Sequence, residues 1–185
     1  PATPCAAATC TCAAAPDTPV VYGAGADAYG QAGAVLTDND LLFMTWPSRP
    51  NTTNRWLVAV DATTPRSPVL LSRMAIDGFP QGIAKRGDNL FLVNGLDFIV
   101  VNASNPRDMK IAARLNIAPH PAQGPQSLAL KGDTAFLACR LGGIGTVDIS
   151  KPLAPRQARV CALPGYARAV AVAGDCLYAC MDNQG

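Results

Sequence analysis

The sequence predicts an all-β protein built from successive antiparallel sheets, because two turn-like landmarks recur at a nearly constant spacing. A Gly/Asn-Asp turn lies in the middle of four similar segments, VLTDNDLLFM, IAKRGDNLFL, LALKGDTAFL and VAVAGDCLYA. The aspartates of these turns are Asp40, Asp88, Asp133 and Asp175. By subtraction these aspartates are 48, 45 and 42 residues apart. A second landmark, LVAVDATTPRSPV, FIVVNASNPRDMK and IGTVDISKPLAPR, places Asp61, Asn102 and Asp148 at spacings of 41 and 46. Two independent landmarks at one period indicate a repeat architecture.

Within each repeat the apolar residues alternate or form short buried runs, which predicts strands. In the second repeat, GIAKR turns at Gly87-Asp88 into NLFLV, and NLFLV turns at Asn94-Gly95 into DFIVVN. A Pro/Asn/Ser segment then leads to a fourth strand, MKIAARLNI. Enrichment in Val, Ile and Phe, with regularly spaced Gly and Pro, excludes a helical repeat of similar length.

Four-stranded units that repeat every 40-odd residues, as these do, are typical of β-propeller blades. We therefore predict about four antiparallel blades. A β-sandwich is the alternative, but a sandwich would not require the same turn and the same Val-Asp-x-[ST] corner in successive units. The expected organisation is a flexible Cys/Ala/Thr-rich leader over residues 1–15, followed by propeller repeats over residues 16–185, divided at about 16–64, 65–105, 106–151 and 152–185.

The ends of the repeat region predict an incomplete ring. The fourth unit, YARAVAVAGDCLYACMDNQG, stops after its second strand, whereas PDTPVVYGA near the start is similar to PRSPVLLSR, an outermost strand. An open arc would expose apolar faces that propellers cover. We expect further repeats beyond Gly185, or another chain, to cover these ends.

The strands that end in Asp61, Asn102 and Asp148, each preceded by a hairpin, resemble the LVIVD repeat, which is named for a Leu-Val-Ile-Val-Asp strand followed by a Ser/Asp-Pro turn. The resemblance spans residues 16–185. It implies propeller-like blades and an exported or surface protein of the kind found in bacteria and archaea, and it implies little about a ligand. The chain departs from the pattern at Asn102 and in the long first hairpin, WPSRPNTTNRW.

The repeated acidic residues are predicted to stabilise turns. Asp61, Asn102 and Asp148 each stand two residues before Thr63, Ser104 or Ser150, so that a short side-chain acceptor can bind the following backbone amide in an Asx-turn. Asn serves this purpose as well as Asp, which explains Asn102. The Gly-Asp pairs fit two-residue hairpins.

Composition limits the partners. The chain has 185 residues, 49% hydrophobic and 15% charged, with a formal net charge of +2 spread over isolated Lys and Arg. This distribution predicts no nucleic-acid partner, and no apolar run is long enough for a membrane-spanning helix. The chain begins at Pro1 without an initiator Met, which indicates that an earlier segment was removed or is not included in this sequence; a cleaved signal peptide is the expected missing piece.

Seven cysteines favour an oxidising compartment, so an extracellular, cell-surface or periplasmic location is expected. All seven are disulfide candidates: Cys5, Cys10, Cys12, Cys139, Cys161, Cys176 and Cys180. Because the count is odd, at least one thiol is free or pairs with another chain, and we expect at least one of the three leader thiols to pair with a distant cysteine or another chain. Cys176 and Cys180 should not pair with each other, because four residues of strand separate them by about 13 Å. Cys139 and Cys180 occupy nearly equivalent positions in adjacent blades and are the more plausible neighbours.

No metal or cofactor site is predicted, because the cysteine spacings lack paired C-x2-C and the single histidine, His120, lies in a Pro-rich connection. No catalytic residue is predicted either. The sequence has no G-x-S-x-G motif and no P-loop, and the aspartates are assigned to turns.

Two sets of residues remain as candidate binding positions. The residues seven before each hairpin Asp begin the innermost strands and should face the mouth of the central channel: Gly33, Gln81, Gln126 and Arg168. Capping or hydration of the channel is the alternative role. In the first hairpin, Trp46, Arg49, Arg55 and Trp56 are candidate partner contacts, because Trp and Arg are enriched at binding hot spots; a purely structural hairpin is the alternative.

The predicted function is a non-enzymatic exported propeller that binds another protein or associates with a surface or filament. Its partner is expected to be another protein or further repeats of the same polypeptide. The alternative is a part of a propeller enzyme or extracellular redox complex, with its active groups on other residues or on a partner chain.

Overall fold

The computed structural model describes residues 33–46, 55–78, 80–117, 124–163 and 165–182, and in these residues the chain forms strands and no helix. The first sheet contains β1 (Val35–Asp38), β2 (Leu41–Trp46), β3 (Trp56–Asp61) and β4 (Val69–Ala75). The second contains β5 (Pro80–Arg86), β6 (Asn89–Asn94), β7 (Asp97–Asn102) and β8 (Lys110–Asn116). The third contains β9 (Ser127–Lys131), β10 (Thr134–Ala138), β11 (Ile144–Asp148) and β12 (Arg156–Cys161), and the fourth contains β13 (Tyr166–Ala173) and β14 (Cys176–Asp182).

Every sheet is an antiparallel meander in which each strand pairs with the next one in sequence. The predicted all-β fold is confirmed. Neighbouring sheets are in contact through their first strands, β1 with β5, β5 with β9 and β9 with β13. The four sheets therefore form a propeller-like, unclosed arrangement in which the first strand of each sheet is innermost.

The Gly/Asn-Asp landmarks are two-residue hairpin turns. They join the first strand of each sheet to the second, and the first turn residue has a positive φ in all four copies: Asn39 (51°), Gly87 (55°), Gly132 (52°) and Gly174 (56°). A positive φ at the first turn residue favours Gly, and Asn is among the few other residues that tolerate a positive φ. The second turn of the second sheet is Gly95-Leu96, one residue later than the expected Asn94-Gly95.

The Val-Asp strands, which carry the second landmark, are the third strands of their sheets. The end of each one lies beside the hairpin turn that carries the first landmark of the same sheet. Asp61, Asn102 and Asp148 pair with the first residue after the hairpin turn of the same sheet. The residue that follows each of them donates its backbone N–H to the hairpin aspartate's carbonyl, at 2.7 Å for Ala62 and Ala103 and 2.8 Å for Ile149. A β-bulge interrupts the pairing of the third and fourth strands at the same place in each complete sheet.

The core lies between the faces of neighbouring sheets. Phe43, Leu57 and Ala59 of the first sheet pack against Leu90, Leu92 and their neighbours in the second. The opposite face of the second sheet packs against the third through Phe91, Val93, Phe98 and Val100. This two-sided burial explains why NLFLV is a continuous apolar run and does not alternate. Gly82 allows close packing of β5 and β9, since a Cβ there would lie 3.1 Å from Ser127 Cα.

The sheets are offset by one strand from the repeat units expected from sequence. The expected divisions after residues 64, 105 and 151 fall between the third and fourth strands of a sheet, whereas the chain passes from one sheet to the next after β4, β8 and β12.

Candidate functional site

The two ends of the scaffold differ in their connections. At one end, which we call the turn end, lie the hairpins 39–40, 87–88, 132–133 and 174–175 and the connections 62–68, 103–109 and 149–155. At the other end, the loop end, the second and third strands are joined by residues 47–55, 95–96 and 139–143, and successive sheets are joined by residues 76–79, 117–126 and 162–165. The turn-end connections thus keep their lengths, whereas those at the loop end range from two to ten residues.

The turn end has a structural role in every copy. The Asp61 carboxylate accepts the backbone N–H of Thr63 at 2.9 Å, Asp148 accepts that of Ser150 at 2.8 Å, and the Asn102 side chain accepts that of Ser104 at 2.9 Å. The predicted Asx-turns are therefore confirmed. Hydrogen bonds from the Thr63 side chain and backbone hold the pKa of Asp61 below its ordinary value, and those from Ser150 lower the pKa of Asp148.

Charged side chains at the turn end join neighbouring sheets. Lys85 pairs with Asp38 at 2.6 Å, Arg86 with Asp133 at 2.8 Å and Lys131 with Asp175 at 2.7 Å. Arg86 also donates to the backbone carbonyls of Gly132 and Ile149. These ion pairs and hydrogen bonds link each sheet to its neighbour at the turn end.

All predicted channel-mouth positions lie at the loop end. A Cβ on Gly33 would collide with the Thr45 side chain, so this position presents only backbone. Gln81 and Arg168 are exposed, and each lies at a β-bulge that interrupts the pairing of its first strand. Bulges redirect side chains, so these positions are equivalent in geometry as well as in sequence.

The structure brings Gln126 and Arg168 together and adds a residue that the sequence did not identify, Arg140. With the Gln126 amide in one orientation, its Oε1 accepts from Arg140 Nε at 3.1 Å and Nη2 at 2.7 Å. In the opposite orientation it accepts from Arg168 Nη1 at 3.3 Å. The Arg168 guanidinium carbon lies 5.6 Å from the centroid of the Tyr166 ring. We call Gln126, Arg140, Tyr166 and Arg168 the arginine cluster.

One sequence signal could have revealed Arg140. Counted from the hairpin aspartate, Arg140 occupies the position of Gly95 in the second sheet, and both residues have a positive φ, 49° and 63°. An Arg where the preceding repeat has a turn Gly is a departure that comparison of the repeats detects. Its contact with Gln126 could not be predicted, because Gln126 precedes β9, Arg140 follows β10, and Arg168 comes from the next sheet.

The long first hairpin also lies at the loop end, where Trp46 and Trp56 are directly paired in the β2–β3 ladder. Arg73 on β4 stacks over the Trp56 ring, with its guanidinium carbon 5.1 Å from the ring centroid. The Arg55 carbonyl accepts the backbone N–H of Ile76 at 2.8 Å. Arg49 lies outside the described residues. A contact role for Trp46, Arg49, Arg55 and Trp56 stays a prediction.

Four of the seven cysteines lie in the described residues, as free thiols: Cys139, Cys161, Cys176 and Cys180. Burial raises the pKa of Cys139, whereas the other three are exposed. Cys176 and Cys180 both lie in β14. Cys5, Cys10 and Cys12 lie outside the described residues, as does His120, so the disulfide expectations stay predictions.

Two further observations concern the described part of the chain. It contains no group of three or more His, Cys, Asp or Glu residues arranged to hold a metal ion. None of its segments forms a helix long and apolar enough to cross a membrane.

Comparison with known proteins identifies the repeat. The family model of the LVIVD repeat matches residues 125–161, which contain all four strands of the third sheet. The predicted resemblance is confirmed over residues 125–161, and the matched segment corresponds to one four-stranded sheet. A search of the curated proteins found no match to this chain.

Proposed function

We propose that this chain is a non-enzymatic, exported propeller module that binds another protein through its loop end. The observation that carries the proposal is the contrast between the two ends: turn-end connections have the same lengths in every sheet, and loop-end connections do not. Constant turns are what the scaffold needs in order to fold. Loops of varied length on a rigid scaffold are where binding residues are concentrated.

The residues at the loop end are suited to protein contacts. The arginine cluster combines two guanidinium groups, an amide and an aromatic ring. Trp56 and Arg73 form a second aromatic and cationic pair at the base of the long hairpin. Trp, Tyr and Arg are the residues most enriched at binding hot spots.

Two kinds of partner fit the proposal, another protein or further LVIVD repeats of the same polypeptide. In the three complete sheets the second strand pairs on its outer side with the Val-Asp strand. The equivalent edge of β14 has no such strand among the described residues, and Tyr178 on β14 is 58% exposed. An added strand of the same kind would satisfy this edge.

An extracellular, cell-surface or periplasmic location is part of the proposal, supported by the cysteine usage and by the exported proteins that carry LVIVD repeats. Fractionation of the source cells tests it. Recovery of the protein in the cytoplasm alone would contradict it.

The binding proposal is tested by photo-crosslinking from two matched positions in the third sheet. Leu141 in the loop-end connection 139–143 and Leu153 in the turn-end connection 149–155 are both exposed, at 54% and 70%. Each is replaced in turn by a photoreactive amino acid in the source cells, and the adducts are identified by mass spectrometry. We expect one defined adduct from position 141 and none from position 153. Equal labelling from both positions, or a defined adduct only from 153, would overturn the proposal.

A further inference from the structure

An aromatic residue stands three positions after the hairpin aspartate in every sheet: Phe43, Phe91, Phe136 and Tyr178. Phe43 and Phe91 are fully buried, and Phe136 packs against the core that the third sheet shares with the fourth. Each of these three rings thus lies in a core shared with the next sheet. Tyr178 occupies the same position on the fourth sheet, yet it is 58% exposed.

The face of the fourth sheet around Tyr178 is apolar. Directly paired residues of neighbouring strands lie on the same face of a sheet, and Tyr178 pairs with Ala171. The other members of this face are small, and all are exposed: Ala169, Ala171, Ala173, Cys176 and Cys180. The fourth sheet therefore presents to solvent the face that the first three sheets bury.

The first sheet has a free face on its opposite side. Val35 lies five residues before its hairpin aspartate and is 60% exposed. Val170, at the same position of the fourth sheet, is only 8% exposed because it packs against the third sheet. Met44 pairs with Val35 on this free face and is half-buried, whereas Leu92, its equivalent in the second sheet, is fully buried against the first sheet.

The contact between the third and fourth sheets shows what these free faces fit. There Phe136, Ala129 and Ala138 of the third sheet pack against Val170 and Met181 of the fourth. On the free face of the fourth sheet, the same three positions hold a tyrosine, an alanine and a cysteine, and the free face of the first sheet has a valine at the position of Val170. One chain therefore carries both halves of a sheet-to-sheet contact that it already makes internally.

We propose that two copies of this chain form a closed ring, in which the free face of each fourth sheet packs against the free face of the other copy's first sheet. The contact joins two different surfaces, so copies that dock in this way form either a ring or an open filament. Each copy has four sheets, so two copies supply eight, and propellers usually have about four to eight blades. Closure covers both free faces of each copy at once. The loop end stays available to another partner, so this inference goes beyond the proposed function and does not depend on it.

The first test counts the polypeptides in the native particle. Light scattering of the protein purified from its source cells gives the native mass, and denaturing mass spectrometry gives the mass of one polypeptide. We expect a ratio of two, and the 19.2 kDa chain by itself should also double its mass. Reducing buffer excludes a disulfide between copies through the exposed Cys176 or Cys180. A ratio of one, including a longer polypeptide that covers its own free faces, or a ratio above two would overturn the inference.

Variants place charges on the two sides of the contact. Y178E and V35K change exposed residues, so each chain should fold, as circular dichroism checks. Each should raise the dissociation constant of the two copies about tenfold or more, because the contact would bury a charge. Y178F, which introduces the residue of the other three sheets, should retain the assembly.

Matched controls add the same charges outside both free faces. L153E alters a residue in a turn-end connection that is 70% exposed. V69K alters a residue that is 53% exposed and pairs with Asp61, on the opposite side of the first sheet from Val35. Both controls should keep the mass ratio of two. Dissociation in either control to the extent seen in Y178E or V35K would count against the inference.

An equimolar mixture of Y178E and V35K distinguishes this two-surface contact from a symmetric one. In a ring with one copy of each variant, one contact is unmodified, and the other brings the two introduced charges, which are opposite, to the same contact. We expect the mixture to recover the mass ratio of two, although each variant alone is largely monomeric. A mixture that stays monomeric while both variants are folded would overturn the inference.

Discussion

At the scale of single residues, three positions form the same Asx-turn with two kinds of side chain. Asp61 and Asp148 accept with a carboxylate oxygen, and Asn102 accepts with an amide oxygen. Each oxygen lies 2.8–2.9 Å from the backbone nitrogen of the residue two positions later. The geometry is the same, but only the carboxylates titrate. The turns of the first and third sheets should therefore depend on pH, and that of the second should not.

We expect D61N/D148N to unfold with nearly the same free energy as the unmodified chain at pH 7. The folded-state pKa values of both carboxylates are lowered, so their contribution to stability is complete above the unfolded-state pKa of about 3.9 and is lost as pH falls through the folded-state values. The variant should lose less stability between pH 5 and pH 2. Urea unfolding across this range measures the difference. N102D should show the opposite change, and parallel pH curves for all three proteins would contradict the assignment.

Cys139 should react with iodoacetamide more slowly than the exposed thiols of Cys161, Cys176 and Cys180. Burial raises the pKa of Cys139, which lowers its thiolate fraction, and restricts access of the reagent. Timed alkylation at pH 8 followed by peptide mass mapping gives the rate at each site. In urea the four rates should converge. Alkylation of Cys139 as fast as that of Cys176 in the folded chain would show that this thiol is accessible.

At the scale of elements, the hairpin turns determine the register between the first and second strands. A Cβ on Gly87 would meet no atom within 4 Å, so a side chain there is opposed only by the backbone conformation at φ +55°. Asn39, at the same position in the first sheet, shows that Asn is accepted. This position isolates the free energy cost of a left-handed residue from the cost of packing.

G87A should lower the free energy of unfolding by about 1–2 kcal/mol, and G87N by less, because Asn tolerates the left-handed region better than Ala. Urea denaturation of the two variants beside the unmodified chain measures both values. The same ranking should hold at Gly132, where a Cβ is also unopposed. If Ala and Asn cost the same at both positions, the turn is not what determines the preference for Gly.

At the scale of the whole molecule, the second sheet is packed on both faces against neighbouring sheets. Phe91 is fully buried between the second and third sheets, and Leu90 and Leu92 face the first. The outer fourth strands, in contrast, are largely exposed, and Val69 on β4 is 53% accessible. A cavity in the second sheet should therefore weaken contacts to a neighbouring sheet as well as within its own.

F91A should lower the free energy of unfolding by about 3–5 kcal/mol, the range for removal of a buried aromatic ring. V69A should change it by about 0.5 kcal/mol or less. Urea unfolding monitored by circular dichroism gives both values. A loss below about 1.5 kcal/mol in F91A would show that the second and third sheets do not share a packed core.

Repeat period, strand identity and turn chemistry could be predicted from the sequence alone, because they depend on interactions between residues close in the chain. The two-residue hairpins follow from Gly-Asp pairs, and the Asx-turns follow from an acceptor two residues before a backbone N–H. The LVIVD resemblance depends on the same local pattern. The sequence also placed Gln126 and Arg168 at equivalent positions of successive repeats. This equivalence gives the position of each residue within its repeat and does not give its contacts.

Only the tertiary structure decided which side chains meet. Arg140, Gln126 and Arg168 are brought together by packing of β9 against β13 and by the bridge between Arg140 and Ala167, contacts that join residues far apart in the chain. The sheet boundaries likewise depend on where the chain passes from the fourth strand of one sheet to the first strand of the next. A repeating sequence pattern does not show which of its strands begins a sheet. Local rules thus determined the repeated turn end, whereas the contacts between sheets determined the arginine cluster at the loop end.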